Sequence, residues 1–139
     1  MTPVICQVKH DPENGTYGDC VRACIASLMD MDPPDVPHFY HDNCDGVTGI
    51  GRVREWLNGK GYHLMITGIG GEISLENVLS GMGELNPDVH YMLQGRTSEA
   101  DHVVICKGGE VVHNPMWYKK PLIGPDSGGN WVIMAIVKA

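Results

Sequence analysis

No stretch of the 139-residue sequence approaches the roughly 20 apolar residues that a membrane-spanning helix needs, so no membrane partner is expected. The first residues, Met-Thr-Pro-Val-Ile-Cys-Gln, lack the basic start and long apolar run of a secretory signal. The expected location is cytoplasmic. Basic clusters are missing too: the longest is the pair Lys119-Lys120, in a chain of 10 basic and 17 acidic residues with a net charge of −7. Nucleic-acid binders neutralise phosphates with a basic face, so nucleic acid is not expected as a partner. The five cysteines (Cys6, Cys20, Cys24, Cys44 and Cys106) are odd in number and lack the spacing of a disulfide framework. In a reducing compartment each thiol must then be explained by packing, metal binding or reactivity. Repeats, low-complexity tracts and linkers are absent. The Gly-rich runs at 68–71 and 124–129 lack the Lys-Ser/Thr of a phosphate loop, and no cofactor is expected.

What remains is a globular composition of a length suited to one domain spanning 1–139. Stretches rich in Gly, Pro and Asp at 8–19, 30–47, 66–72, 95–101 and 116–130 read as loops. Val21, Cys24, Ile25 and Leu28 recur with helical spacing, Asp19 stands at the N-cap, and Pro33-Pro34 forbids continuation. A second helix is predicted over about 49–59, with Ile50, Val53 and Leu57 on one side and Gly61 as a stop. A third starts after Ser74, turning Leu75, Val78, Leu79 and Met82 inward. Strands are predicted at 62–69, 90–95, 102–107, 110–113 and 131–137. Gly108-Gly109, between two β-branched runs, marks a tight hairpin. Helices first and an antiparallel sheet afterwards make an α+β fold.

A nucleophilic cysteine needs help to remain a thiolate, and the start of a helix supplies part of it through unpaired N–H groups and the macrodipole. Cys20 has that placement. Cys24, one turn later on the apolar face, reads as packing, and Cys106 lies mid-strand. The thiolate also needs an imidazole positioned by a third group. His102 opens the first strand of the hairpin and Asn114 follows the second, so a two-residue turn brings them near one another at its open end. An Asn side-chain carbonyl can hold an imidazole by its other nitrogen. Pro115 biases Asn114 towards an extended backbone.

The stretch Gly18-Asp-Cys-Val-Arg-Ala-Cys-Ile-Ala-Ser-Leu, followed by Val36-Pro37, resembles the start of small papain-like proteins of bacteria and phages. Those proteins are related to the bacteriocin-processing, double-glycine leader peptidases. The resemblance continues through Trp56-Leu57 with Gly61-Tyr62, the His102-Val-Val strand and Asn114-Pro115, in order along nearly the whole chain. It implies a papain-like fold with N-terminal helices packed on the sheet, and a cysteine-dependent peptidase, isopeptidase or amidase acting on a peptide or protein substrate. It further implies Cys20, His102 and Asn114 as catalytic residues, with Gln7 binding the oxyanion. Two departures stand out. Twelve residues separate Gln7 from Cys20, longer than the usual papain-like loop, and Asn114 replaces the Asp of the leader peptidases. The transporter domains fused to those enzymes have no counterpart here, so processing during export is not implied.

Other readings use the same residues. Cys20 could be a packed core thiol, His102 a solvent-facing strand end, and Asn114 an ordinary Asn-Pro turn. His113 competes with His102, although Asn114 and His113 point to opposite faces of a regular strand. His38, His41 and Cys44 have ligand-like spacing, with Asp42, Asp45 or His10 available as a fourth zinc ligand. The metal-free reading is preferred. The alternative function is a catalytically silent binding protein on the same fold, such as a phage-encoded inhibitor of a host factor.

Overall fold

The computed structural model describes residues 1–139 and is α+β, with three α-helices and a five-stranded antiparallel sheet. The elements in chain order are α1 (Cys20–Leu28), α2 (Gly46–Gly59), β1 (Tyr62–Gly70), α3 (Leu75–Leu85), β2 (His90–Arg96), β3 (Asp101–Lys107), β4 (Glu110–His113) and β5 (Asn130–Lys138). The strand order is β1-β5-β2-β3-β4. No helix is long and apolar enough to cross a membrane. The chain divides into two compact units, Met1–Met65 with Ile136–Ala139 and Ile66–Ala135.

In the first unit, α1 is buried more widely than its apolar spacing predicts. Ala23, Cys24, Ile25, Ala26 and Ser27 are all buried, while Val21 and Leu28 are half-buried. Ser27 explains the extra face. Its hydroxyl donates to the Ala23 carbonyl at 2.7 Å and accepts from Val4 N–H at 2.9 Å, tying the N-terminal segment to the helix. The helix ends before Pro33, where Asp30 takes a positive φ of 53°. A 3-10 turn over Pro33–Asp35 follows. The next helix begins three residues before the predicted start, because the Asp45 carboxylate caps Thr48 N–H at 2.7 Å. Gly46, Gly49 and Gly51 disguise that first turn in the sequence. Gly49 has a further role: a Cβ there would collide with the Tyr40 ring, so the ring lies directly on the helix backbone.

In the second unit, Ser74 caps α3 by accepting from Asn77 N–H at 3.2 Å, as its place before an apolar period predicts. Leu75, Val78, Leu79 and Met82 then pack on Tyr91, Leu93, Val104, Cys106, Trp131, Ile133 and Ala135. These sheet residues share one face by alternation and register, since Tyr91 pairs with Cys106 and Leu93 with Val104. Trp131 donates its indole N–H to the Ile73 carbonyl at 2.8 Å. Its ring also covers Gly95, where a Cβ would come within 2.6 Å of both the ring and the Gly124 carbonyl oxygen. Of the two overlapping readings at 66–69 the strand holds: β1 runs one residue beyond the predicted 62–69, through Gly70, and the loop read at 66–72 is confined to its end. The hairpin turn at 108–109 is present, with positive φ (55°) at Gly108.

Register in that hairpin is not the simple one. Lys107 pairs with Glu110 and Cys106 with Val111, but Ile105 pairs with His113. Val112 is thus an extra residue in β4, a β-bulge. An extra residue moves everything beyond it to the other side of the pleat. Without the bulge, Asn114 would fall opposite Val103, on the face away from His102. With it, continuing the register by one residue sets Asn114 opposite Val104, on the face that carries His102.

Candidate active site

His102 is the second residue of β3, pairs with Gly95 and is 4% exposed. Its Nε2 lies 2.8 Å from Asn114 Oδ1. Two backbone groups orient the Asn114 amide. Its Nδ2 donates to the Lys120 carbonyl at 2.9 Å, and its Oδ1 accepts from Met116 N–H at 3.1 Å. A backbone carbonyl can only accept and an N–H can only donate, so the amide cannot be flipped without losing both bonds. Oδ1 therefore faces the ring as an acceptor, and Nε2 carries the proton. In the neutral ring, Nδ1 is then the basic nitrogen. This tautomer follows from the two backbone partners of Asn114.

Local sequence explains the clamp. Pro115 biases Asn114 towards an extended backbone, and Lys119 adopts a positive φ of 42°, turning the chain so that the Lys120 carbonyl comes back. Lys120 Nζ then pairs with Glu99 at 2.8 Å. On the other side of His102, the buried Thr97 hydroxyl accepts from Glu99 N–H at 3.2 Å and Ala100 N–H at 3.4 Å, closing the turn before β3. Asp101 holds Ser127 through its N–H at 2.8 Å and its hydroxyl at 2.6 Å. Burial lowers the pKa of His102, opposed by the hydrogen bond to Asn114. Burial thus favours the neutral ring, the form in which it can take a proton.

His113, by its pairing with Ile105, lies on the other face of the hairpin and is 8% exposed. His113 and Asn114 thus point to opposite faces, and the bulge sets His113 on the face away from His102.

In the first unit, Cys20 opens α1 and is half-buried. Asp19 stands at the N-cap position but makes no side-chain cap. Its carboxylate turns away to accept from Gln7 N–H at 3.0 Å and Val8 N–H at 3.0 Å. The long loop between Gln7 and Cys20 is thereby folded back on itself. A 3-10 turn at Pro12–Asn14, the Asp11–Thr16 bridge and the bond from Gly18 N–H to His10 Nδ1 close its interior. The backbone of Gln7 thus sits beside Asp19, next in sequence to Cys20, and the Gln7 side chain is exposed.

None of the five cysteines forms a disulfide. Cys24 and Cys106 are fully buried. Burial pushes the Cys106 thiol up to about 12, against a hydrogen bond with Tyr91. The Cys6 thiol is raised further, first by burial and then by the charges of Cys20 and Asp19. Cys44 is also raised by burial, and its sulfur contacts the Phe39 carbonyl and the Arg52 guanidinium.

The residues weighed as zinc ligands are engaged otherwise. His38 Nε2 lies 2.7 Å from the Tyr17 carbonyl, and Asp42 forms a two-pronged ion pair with Arg52 at 2.8 and 2.9 Å. Asp45 is the cap of α2. No group of three or more His, Cys, Asp or Glu side chains is arranged to hold a metal ion. Three features of the site had no clear sequence signal: the bulge at Val112 and the two backbone groups that orient Asn114. Arg22, whose guanidinium pairs with the Asp19 carboxylate at 2.8 Å, carried a weak one as an i,i+3 charge pair. Compared with protein-family models, curated proteins and solved structures, the chain finds no match.

Proposed function

We propose that this protein is a cysteine-dependent hydrolase of papain-like type, acting on peptide or related amide bonds. The observation that carries the reading is the buried His102–Asn114 contact, whose fixed amide leaves imidazole Nδ1 as the base. An ordinary Asn-Pro turn does not require a buried imidazole, and a packing histidine does not require its tautomer to be set.

In the proposed reaction, Cys20 Sγ attacks the substrate carbonyl carbon while His102 Nδ1 takes the thiol proton. The carbonyl π electrons move to oxygen, and the oxyanion is bound by Cys20 N–H and the Gln7 amide, a type of interaction worth about 3–4 kcal/mol. Collapse breaks the C–N bond, the proton passes from His102 to the leaving amine, and a thioester remains on Cys20. Water, deprotonated by His102, attacks the thioester and releases the acid and the thiol. Asn114 acts throughout by holding Nε2–H.

A peptide-like acylating electrophile, followed by mass mapping of the modified cysteines, tests this reading. Cys20 should be labelled well ahead of Cys44, and His102→Ala should remove that preference. Labelling of Cys20 no faster than Cys44 would favour the binding-protein alternative.

A further inference from the structure

Asp19 is the one carboxylate in the buried interior, at 1% exposure. Burying a charged carboxylate is costly unless it is paired and fully hydrogen-bonded, and here it is both. Oδ1 accepts from Gln7 and Val8 N–H, each at 3.0 Å, while Oδ2 takes Arg22 Nε at 3.1 Å and Nη2 at 2.8 Å. Holding two backbone amides needs only a neutral acceptor, which an Asn side chain or a carbonyl could supply. A full negative charge beside a thiol that must ionise would be a handicap, because like charge disfavours the thiolate. Arg22, itself only 15% exposed, removes that handicap.

We propose that Asp19 and Arg22 form a positioning pair for Cys20. Asp19 clamps the Gln7–Val8 backbone at the amino end of α1, and Arg22 neutralises the clamp so that the thiol is not suppressed. The inference rests on the reading of Cys20 as nucleophile. Cys6 already registers the two charges with opposite sign: Asp19 pushes its thiol up and Arg22 pushes it down, beneath the larger effect of burial. Cys6 and Tyr40 of this unit also interact with Cys20, and His38 interacts with both Asp19 and Arg22.

The test is the iodoacetamide alkylation rate of Cys20 in the full chain, across about pH 5 to 10. It is read on the Cys20 peptide by mass spectrometry. Arg22→Gln should move the midpoint up, slowing alkylation at neutral pH by about tenfold for each unit. Asp19→Asn should move it down, and Arg22→Lys should restore most of the wild-type profile. Backbone exchange at Gln7 and Val8 should accelerate in Asp19→Ala, which removes the acceptor, and change little in Asp19→Asn, which keeps Oδ1. Midpoints that stay put in both charge variants, or move in the same direction, would overturn the proposal, as would unchanged exchange at Gln7 and Val8 in Asp19→Ala. Should Asp19→Asn fail to fold, Arg22→Gln with its rescue by Arg22→Lys decides the matter alone. The His102 dependence of the same profile tests the hydrolase reading separately, so the two can fail independently.

Discussion

Cys20→Ala is expected to abolish amide hydrolysis, by several orders of magnitude, while leaving cooperative melting nearly intact. The expectation follows from where the two cysteines of α1 lie. Cys20 is at the first position of the helix and half-buried, so removing its sulfur disturbs little packing. Cys24, one turn on, is fully buried, and Cys24→Ala leaves a small cavity costing about 1–2 kcal/mol. The pair of variants should therefore dissociate the two measurements. One loses activity and keeps its melting temperature, while the other keeps activity and melts earlier. Equal loss of both quantities in Cys20→Ala would assign Cys20 to packing.

Asn114 yields the second large effect, and the structure alters what its sequence alone suggests. A carboxylate can accept from an imidazole N–H as an amide oxygen does, so Asn114→Asp would seem harmless. The carboxylate would keep the contacts to His102 Nε2–H and Met116 N–H. Its other oxygen, however, would face the Lys120 carbonyl oxygen in place of a donor. One hydrogen bond is lost and two acceptors are opposed, a destabilisation of about 1–3 kcal/mol. The new charge should also raise the pKa of His102, which burial now lowers, and shift the alkaline limb of Cys20 reactivity upward. Lower melting with an upward-shifted limb is the expected signature. Asn114→Ala should instead slow turnover roughly ten- to a hundredfold, since a misoriented base forfeits part of the 10²–10⁴ that general-base catalysis supplies. An unchanged pH profile in both variants would reduce Asn114 to a turn residue.

The elements were legible in the sequence where one local signal dominated. Ser74 before an apolar period announced α3, and Gly108-Gly109 between β-branched runs announced the hairpin. The start of α2 was not legible, because three glycines in its first turns carry no helical signal and the cap at Asp45 had to act alone. Nearness of His102 and Asn114 was legible from turn length, but their common face was not. A two-residue turn counted forward sets Asn114 on the wrong side of the pleat, and only the extra Val112 corrects it. A bulge is decided by tertiary packing along the sheet, so counting from the turn cannot reveal it. The Lys120 carbonyl and Met116 N–H are backbone groups that every residue carries, and their convergence on Asn114 depends on the left-handed turn at Lys119. Asp19 read as a helix cap because the spacing allows it. Its carboxylate is drawn instead to Arg22 and two amides twelve and eleven residues back in the chain.

In the proposed hydrolase the Cys20 thiolate depends on the His102 imidazole. The most direct measurement of that dependence is the pH profile of Cys20 alkylation by iodoacetamide in the wild type and in His102→Ala, with Cys44 as internal reference. The Cys20 midpoint should lie below the ordinary thiol value of about 8.5 in the wild type and return to that value or above in His102→Ala. Superimposable Cys20 profiles in the two proteins would contradict it.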